Sequence, residues 1–255
     1  MAQHARRLVR ETLTFAAAGV EVVEGLISPD EIAALMRAVQ DITDMQARSV
    51  GLPAGLDALG LPPHVRSGVY DMVNSHPALF RLAGKPEIVE LADEFINGGR
   101  TGQVIVKGLQ LRMDLPGNQS ELLGWHRDRD YFQSLPQNGL VLWLPLVDID
   151  ERTGGISVVP RPVPDVEFVE LVKHWPGRKP MRVFEVKEPD RVLAEGPPPV
   201  RVSCRAGDGV FFNLWNMHRS EPNSSERVRW TLQFRYFSAS EAVAARLDRA
   251  ALEHG

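Results

Sequence analysis

The amino-acid sequence predicts a mainly β protein, in which helices flank a barrel of strands. Two observations support this fold class. After residue 103 the chain consists of short β-rich segments separated by turns, a pattern typical of all-β barrels. Before residue 98 the apolar residues recur mainly at helical spacing. Since such barrels commonly reach the size of this 255-residue chain, we expect one domain over residues 1–255, with the helical part at about 28–98 and the barrel at about 103–238.

The composition is that of an ordinary soluble globular protein, with 44% hydrophobic and 24% charged residues. A net charge of -4 gives no basic surface for nucleic acid or for an anionic membrane. The single cysteine, Cys204, excludes an internal disulfide and a cysteine-based zinc site. The apolar run at 13–18, which follows several arginines, is too short for a signal peptide or a membrane helix. We therefore expect a soluble, cytoplasmic protein that binds neither nucleic acid nor membranes.

The helical part begins with a clear start signal. Ser28 can cap a helix, Pro29 suits the first helical position, and Glu31 completes a capping box. Apolar residues at helical spacing then predict a helix that continues to about residue 47. The remaining predictions in this part are a strand at 20–27, a loop at 48–68, and helices at 77–82 and 86–96.

The barrel part begins with a strand at 104–113 of unusual composition. Gln110 and Arg112 share one face of this strand, and apolar residues share the other, so the polar face is expected to line a cavity. The apolar run at 140–147 predicts a strand that is buried on both faces. Further strands are expected at 156–159, 200–204, 210–214 and 228–237, followed by a closing helix at 241–252.

Residues 161–200 interrupt this succession of strands. They contain many prolines and show little periodicity. Long segments without regular structure are usually lids or binding loops. We therefore expect a lid-like insertion or a binding loop here.

A possible metal site is formed by Gly124-Trp125-His126-Arg127-Asp128 together with the distant His218. Residues i and i+2 of an extended segment point to the same side, so His126 and Asp128 can approach one ion. Two histidines and one carboxylate leave the opposite coordination positions open, which suits non-haem Fe(II). Taken alone, the His-x-Asp pattern is weak, and a solvated loop is the plainer interpretation.

Iron of this kind needs a source of electrons to activate O₂. The sequence contains no flavin or nicotinamide fingerprint, which favours 2-oxoglutarate as co-substrate. Its distal carboxylate requires a buried cation, preferably an arginine near the iron. Three arginines follow His218, namely Arg227, Arg229 and Arg235. They are separated by even numbers of residues, so all three would lie on the same face of a strand, and strand alternation does not choose between them.

Five segments carry a resemblance to a known family. They lie at 19–28, 124–128, 153–160, 207–212 and 218–229. Together they resemble the phytanoyl-CoA dioxygenase family of Fe(II)/2-oxoglutarate oxygenases, over residues 19–237. The resemblance implies a double-stranded β-helix, which is a cupin-like jelly roll, with flanking N-terminal helices and a C-terminal helix.

The resemblance also implies roles for single residues. His126, Asp128 and His218 would be the catalytic metal ligands. Arg229, eleven residues after His218, would anchor 2-oxoglutarate. The further residues implied to contact the co-substrate are Ser220, Trp143, Gln110 and Arg112.

The implied activity is hydroxylation of an unactivated C–H bond in a small molecule of specialised metabolism, with release of succinate and CO₂. The cofactors would be Fe(II), 2-oxoglutarate and O₂, with ascorbate as an optional reductant. Ring closure, desaturation and epimerisation remain alternatives. Two rival classes are a metal-dependent jelly-roll enzyme that does not use 2-oxoglutarate and a non-catalytic ligand-binding barrel.

The substrate is the least defined part of this prediction. Where the family has Gly-Ser-His after a Val-Pro pair, this chain has Arg161, Pro162 and Val163, and the insertion at 161–200 is its own. An anionic substrate is one option, because arginines flank the expected metal ligands at positions 127, 129 and 219. The plainer expectation is that these three arginines are exposed at the surface. The intact Asp128 argues against a halogenase, in which a small residue at that position makes room for halide.

Overall fold

The computed structural model describes residues 13–99, 103–244 and 246. The helices are α1 (Phe15–Ala18), α2 (Pro29–Ser49), α3 (Pro63–Asn74), α4 (Pro77–Ala83), α5 (Pro86–Asn97) and α6 (Pro189–Ala194). The strands are β1 (Val20–Val23), β2 (Val104–Asp114), β3 (Gly139–Pro145), β4 (Ile156–Pro162), β5 (Phe168–Lys173), β6 (Met181–Val186), β7 (Val200–Arg201), β8 (Gly209–Asn213), β9 (Asn216–Ser220) and β10 (Arg229–Ser238).

Two antiparallel sheets form the barrel. The larger sheet has the order β1-β8-β3-β10-β2, and the smaller has the order β7-β4-β9. Apolar side chains fill the space between them, including Val141 and Trp143 from the larger sheet and Ile156 and Val158 from the smaller. This arrangement is the mainly β, two-sheet architecture that the sequence predicts.

The outer face of the larger sheet is covered by the N-terminal helices. Leu142 and Phe211 from this sheet share one apolar core with Leu35 of α2 and Ile88 of α5. Because helices cover one face and the smaller sheet covers the other, every residue of β3 is buried. The prediction of a strand buried on both faces is therefore confirmed.

The start of α2 has the predicted capping box. The backbone N–H of Glu31 donates to the Ser28 hydroxyl over 3.2 Å, and the Glu31 carboxylate accepts from the Ser28 N–H over 2.8 Å. Glu31 also pairs with Lys85 over 3.0 Å, which ties α2 to the residue that precedes α5. The helical layer is thus fixed at its ends as well as by its apolar face.

Helix α3 corrects the predicted loop at 48–68. The chain becomes helical at Pro63, and Val65, Val69 and Val73 are buried at helical spacing. The loop was predicted because residues 48–68 contain several glycines and prolines, Gly68 among them. The role of Gly68 is packing, because a Cβ there would lie only 2.7 Å from the side-chain oxygen of Gln46 in α2.

The insertion at 161–200 is also more regular than predicted. It contains a hairpin of β5 and β6 and the short helix α6. Almost all of β5 is exposed, so its sequence lacks the alternation that marks a strand with one buried face. Ion pairs across the hairpin, such as Arg182 with Glu170, support it instead.

Several predicted boundaries also shift. The first strand ends at Val23 and not at residue 27, because the chain turns at Gly25, whose φ is 61°. The strand predicted at 200–204 is limited to β7, although Cys204 is buried and forms a bridge with Ile149. Helical residues at 239–244 and 246 mark the predicted closing helix.

Two sequence predictions fall partly or wholly outside the described residues. The closing helix was predicted at 241–252, and its residue 245 and its end from residue 247 onward are outside the described part. The arginines that precede the N-terminal apolar run are also outside it. Within the described part of the chain, no helix has the length and hydropathy needed to cross a membrane.

Candidate metal centre

The backbone brings the two halves of the predicted metal site together. The N–H of His126 donates to the carbonyl of His218 over 2.9 Å, and the N–H of His218 donates back over 2.9 Å. This antiparallel bridge joins β9 to the segment that precedes the 3₁₀ turn Asp128–Tyr131. Residues some ninety positions apart in the sequence are thereby held side by side.

The side chains of His126, Asp128 and His218 form one buried cluster. Each offers a ligand atom, and these atoms lie within 4.8 Å of one another. His126 Nε2 lies 4.0 Å from Asp128 Oδ1. All three residues are 6% exposed or less, so a cation held there would be shielded from bulk water.

Backbone carbonyls set the orientation of both imidazole rings. Nδ1 of His126 lies 2.8 Å from the Gly124 carbonyl, and Nδ1 of His218 lies 3.1 Å from that of Asn216. A carbonyl oxygen can only accept, so each Nδ1 carries the proton. Each Nε2 therefore keeps its lone pair for a metal ion, as in many metal-binding histidines.

The charge states also favour a divalent cation. Burial lowers the pKa of His126 to about 3 and also lowers the pKa of His218, so both rings are neutral at pH 7. Burial alone would raise the pKa of Asp128, but Arg235 and the two histidines lower it to about 2. Two neutral imidazoles and one carboxylate fit Fe(II) and leave coordination positions for other ligands.

Arg235 holds the carboxylate of this cluster in place. Its Nε donates to Asp128 Oδ2 over 2.9 Å, and its Nη1 donates to the Gly108 carbonyl over 3.0 Å. Gln233 accepts from Nη2 over 2.7 Å. With Oδ2 engaged, Oδ1 is the oxygen that faces His126.

Two adjoining cavities reach this cluster. The inner pocket surrounds the three side chains and is also lined by Arg112, Trp143, Ser220 and Gln233. The outer cavity has a volume of about 410 Å³ and shares Asp128, Arg112 and Gln233 with the inner pocket. A small molecule in the outer cavity would therefore lie next to Asp128.

The cofactor contacts predicted from sequence occupy different places. Arg112, Trp143 and Ser220 line the inner pocket, and Gln110 lines the outer cavity. Arg229 is 2% exposed and lines neither cavity. The two other arginines of the same parity differ from it, because Arg227 is exposed and Arg235 pairs with Asp128.

Arg229 belongs to a buried cluster with Arg112 and Asp114. Its Nε donates to Asp114 Oδ2 over 3.1 Å, and its Nη1 donates to the carbonyls of Thr153 and Glu221 over 3.0 and 2.8 Å. Asp114 Oδ1 accepts from Arg112 over 2.9 Å. Burial alone would raise the pKa of Asp114, but the two arginines lower it. The ionised cluster carries one excess positive charge beside the inner pocket.

Two of the family-like positions support this cluster. Gly154 has a φ of 65°, and a Cβ there would lie 2.8 Å from Arg229 Nη1 and 2.2 Å from the Pro222 carbonyl. Only glycine allows the guanidinium and the chain to approach so closely. Asn223 donates to the backbone carbonyl of Asp114 over 2.9 Å, which fixes the strand that carries the carboxylate.

The arginines that flank the metal ligands in sequence do not line either cavity. Arg127 is buried and forms two hydrogen bonds with Asp130. Arg129 is buried and donates to nearby backbone carbonyls. Arg219 is exposed and pairs with Glu221 over 2.9 Å. Their functions in the fold are structural, so the expectation that they are exposed is wrong for Arg127 and Arg129.

Sequence reasoning missed several residues of the site. Asp114 is the counter-ion of two arginines, and Tyr131 and Trp175 line the outer cavity. Asp114 could have been noticed, because it shares a strand face with Gln110 and Arg112. Trp175 lies in the connection between β5 and β6, where no periodic signal indicates which way a side chain points.

Comparison with known proteins assigns a family. Residues 15–231 match the family described as phytanoyl-CoA dioxygenase (PhyH). No curated protein gives a significant match.

Solved structures resemble the fold at low sequence identity. The epimerase SnoN, in complex with Fe3+, alpha ketoglutarate and nogalamycin RO, is 21% identical with a TM-score of 0.60, over 93% of this chain and 84% of SnoN. AviO1 from Streptomyces viridochromogenes Tue57 is 22% identical with a TM-score of 0.61, over 92% and 96%. EctD from S. alaskensis, with 2-oxoglutarate and 5-hydroxyectoine, is 18% identical with a TM-score of 0.62, over 93% and 77%. These likenesses confirm the predicted jelly-roll fold.

Proposed function

This chain belongs to the phytanoyl-CoA dioxygenase family of Fe(II)/2-oxoglutarate-dependent oxygenases, and we propose that His126, Asp128 and His218 hold its iron. One observation carries this proposal. Both Nδ1 atoms donate to backbone carbonyls, so two neutral Nε2 atoms and Asp128 Oδ1 remain available in one buried cluster. Such a set offers ligand types that Fe(II) takes, close enough together to share one ion.

When bound, iron and 2-oxoglutarate supply the activation of O₂, with conversion of 2-oxoglutarate into succinate and CO₂. The protein side chains provide the environment for this chemistry. Arg235 keeps Asp128 ionised and oriented, and the buried histidines stay neutral. The apolar layer between the sheets keeps bulk water away, which strengthens every electrostatic contact in the pocket.

The excess positive charge of the Arg112–Asp114–Arg229 cluster is the proposed site for the distal carboxylate of 2-oxoglutarate. Arg112 lines the inner pocket, and its Nε and Nη1 have no hydrogen-bond partner among the described residues. Arg229 anchors the carboxylate through the same cluster, as the family resemblance implies, and it holds Asp114 in place. Ser220 and Trp143 complete the proposed co-substrate site, with Gln110 at its border.

Hydroxylation of an unactivated C–H bond in a small molecule is the proposed outcome. Epimerisation must return a hydrogen to the opposite face of a carbon, and so it needs a hydrogen donor beside the substrate. Of the described residues that line the two cavities, Tyr131 alone carries a phenol or thiol group. Its hydroxyl accepts from the N–H of Phe184 over 3.1 Å and donates to the Phe184 carbonyl over 3.5 Å, so its hydrogen is directed to the backbone. This engaged hydroxyl favours hydroxylation over epimerisation.

The charge of the substrate is not set by the arginines next to the metal ligands. Arg127, Arg129 and Arg219 each have partners in the protein and lie outside both cavities. An anionic substrate therefore lacks the support that the sequence pattern offered. The substrate is a small molecule that fits the outer cavity of about 410 Å³.

The test is succinate release from 2-oxoglutarate, in air with Fe(II) and ascorbate, screened against pools of small molecules. We expect a stimulating substrate to be converted into a product that contains one more oxygen atom. Loss of two hydrogens would indicate desaturation or ring closure, and an unchanged mass would indicate epimerisation. Absence of succinate with every pool, in protein that binds iron, would favour a non-catalytic barrel.

Arginine variants test the co-substrate assignment. We expect Arg229→Ala and Arg112→Ala to weaken anaerobic binding of 2-oxoglutarate to the iron-loaded protein, since each removes a positive charge from the cluster. Arg227→Ala is the matched control, because Arg227 has the same parity on the chain but is exposed. An enzyme that does not use 2-oxoglutarate would keep its activity in all three variants.

A further inference from the structure

The hairpin of β5 and β6 contacts the barrel through β6. The N–H of Val186 donates to the Trp125 carbonyl over 2.7 Å, and the N–H of Phe184 donates to the Tyr131 hydroxyl over 3.1 Å. Since these N–H groups of β6 bind the barrel side, they do not bind β5, and β6 lies between the two. Strand β5 is therefore the outer edge of this two-stranded sheet, and it pairs with no second strand in the described part of the chain.

The free edge of β5 presents unpaired backbone groups. In an antiparallel pair, every second residue directs both its N–H and its C=O to the partner strand. The N–H of Lys187 donates to the Glu167 carbonyl over 2.9 Å, so the odd-numbered residues of β5 face β6. Phe168, Glu170 and Val172 therefore direct their backbone groups away from β6, where the described residues offer them no hydrogen-bond partner.

The side chains of β5 are apolar on both faces. Phe168, Val169, Leu171 and Val172 are all exposed, and Val172 reaches 57%. The strand contains no proline and pairs with β6 without the register shift of a bulge. Proline, bulges and covering segments are the usual protections of an edge strand against pairing with another chain. The edge of β5 is therefore open to a further strand.

The sequence of β5 is complementary to a second copy of itself. In an antiparallel pair about a two-fold axis, the outward-facing residues of one strand must lie opposite those of the other. All three outward-facing residues of both copies are used only when Glu170 lies opposite Glu170 of the second copy. Phe168 then lies opposite Val172, and Val169 lies opposite Leu171. Apolar side chains thus meet on both faces of the joined sheet, which stabilises strand pairs.

The charges at the ends of β5 fit the same register. Glu167 lies opposite Lys173 of the second copy, and opposite charges across a strand pair are favourable. Within one chain, Glu167 pairs with Lys187 over 2.9 Å, and Lys173 pairs with Glu185 over 2.7 Å. The register therefore joins these pairs into a row of alternating charge.

The unfavourable contact of this register lies on the two-fold axis, where Glu170 meets Glu170 of the second copy. The Glu170 carboxylate already pairs with Arg182 of β6. Its charge is thus balanced within each chain, which reduces the repulsion across the axis.

We propose that two copies of this chain pair through β5 and form one antiparallel sheet with the order β6-β5-β5-β6. The contact consists mainly of one short strand from each copy, and small interfaces form weak dimers. We expect a dissociation constant on the order of 10 µM. Met181 and Arg182 of β6 line the outer cavity, so the joined sheet carries part of the cavity wall of each copy. The dimer needs neither metal nor co-substrate.

Sedimentation equilibrium of the full chain over a series of concentrations tests the dimer. We expect the average mass to rise from that of one chain towards that of two and to stop there, because the second edge of β6 faces the barrel. A monomer at every concentration up to about 0.5 mM would overturn the proposal and leave the edge to a strand of another protein. Growth beyond the dimer would also overturn it.

Two substitutions at one position test the role of the backbone edge. Val172→Pro removes an outward N–H and leaves the bonds of β5 to β6 in place. We expect it to weaken dimerisation at least about tenfold, since each dimer loses a hydrogen bond at two places. Val172→Thr is the matched control, which keeps the N–H and should dimerise within about threefold of the original. Dimerisation of Val172→Pro at the original strength would overturn the pairing of the edges.

Cysteine cross-linking tests the register in variants that keep every backbone N–H. Position 170 lies opposite itself at a Cα separation of about 5.5 Å, which a disulfide can span. Glu170→Cys should therefore give a covalent dimer under mild oxidation, seen on a non-reducing gel. The single native cysteine, Cys204, is buried.

Val172→Cys is the matched control for this cross-link. Position 172 is exposed on the same face, but its two copies lie about 14 Å apart along the paired strands, beyond the reach of a disulfide. We expect little covalent dimer from this variant. Equal cross-linking of Val172→Cys and Glu170→Cys, or no cross-link in Glu170→Cys, would overturn the proposed pairing.

Discussion

The metal cluster and the insertion at 161–200 are built in opposite ways. In the cluster, His126 and His218 are bridged through their backbones, and their Nδ1 atoms and the Asp128 carboxylate have partners within the barrel. In the insertion, strand β5 is largely exposed, the ion pair of Arg182 with Glu170 is at the surface, and one buried indole N–H has no partner among the described residues. The comparison indicates that contacts inside the barrel hold the metal cluster in place, whereas much of the hairpin in the insertion lies at the surface.

The largest effect on iron binding and turnover is expected from a substitution in the metal cluster of the barrel. Asp128→Ala removes the one anionic ligand of the proposed site and leaves Arg235 buried without its partner. We expect loss of iron binding and of 2-oxoglutarate turnover, measured as iron per chain after desalting and as succinate release. His64→Ala is a control, because His64 is exposed. Iron binding by Asp128→Ala at the original level would contradict the assignment.

The second effect concerns the charge cluster beside the inner pocket. Asp114→Asn leaves Arg112 and Arg229 buried with no counter-ion, and removal of one partner from a buried ion pair typically costs about 3–5 kcal/mol. We expect a decrease of this size in the free energy of unfolding of the iron-free protein in urea at pH 7. Asp71→Asn, at an exposed position, should cause no such decrease.

The same variant gives a pH dependence with a defined sign. The two arginines lower the pKa of Asp114 in the folded protein below its ordinary value of 3.8. Its contribution to stability is therefore fully present above that ordinary value and is lost as the pH falls through the lowered one. The stability difference between the original protein and Asp114→Asn should shrink in acid. A difference that grows in acid would contradict the ion pairs.

A smaller effect is expected at Arg235, which orients a ligand without binding the metal. Arg235→Gln removes the donor to Asp128 Oδ2. Loss of such an outer partner typically weakens metal binding about ten- to a hundredfold. Competition with a chelator measures this change, and Arg235→Lys should recover part of it. Unchanged iron affinity in Arg235→Gln would show that Asp128 needs no support.

The smallest effect is expected in the exposed hairpin. Glu170→Gln breaks the surface pair with Arg182, and exposed pairs of this kind contribute little because water screens them. We expect an unchanged melting temperature and unchanged iron binding. A clear loss of stability would mean that the hairpin depends on its surface charges, and the contrast with the barrel would weaken.

The same contrast explains how much the sequence could predict. Spacing and family resemblance identified His126, Asp128 and His218, which the fold brings into one cluster. Strand alternation placed Gln110 and Arg112 on a cavity face, where the structure has them. The face of Gln110 and Arg112 could be predicted because a strand of the barrel has one face that must be buried. The roles of the three metal-site residues stay a prediction.

Other features could not be read from single segments. Helix α3 was not predicted, because glycines such as Gly68 are typical of loops. In the structure, Gly68 allows the close packing of α3 against Gln46 of α2. The hairpin of β5 and β6 was not predicted, because an exposed strand does not need alternating apolar and polar residues. The pairing of Asp114 with Arg229 joins residues 115 positions apart and depends on the register of β2 against β10. The role of Arg229 as anchor stays a prediction.

The most direct test is an anaerobic titration of the protein with Fe(II) in the presence of 2-oxoglutarate. Chelation of the metal by the keto acid produces a visible absorption band only when both are bound at one site. We expect the band to saturate at one iron per chain in the original protein, to persist in Arg227→Ala, to require more 2-oxoglutarate in Arg229→Ala, and to be absent in His218→Ala. A band of full intensity in His218→Ala, or no band in the original protein, would contradict the account.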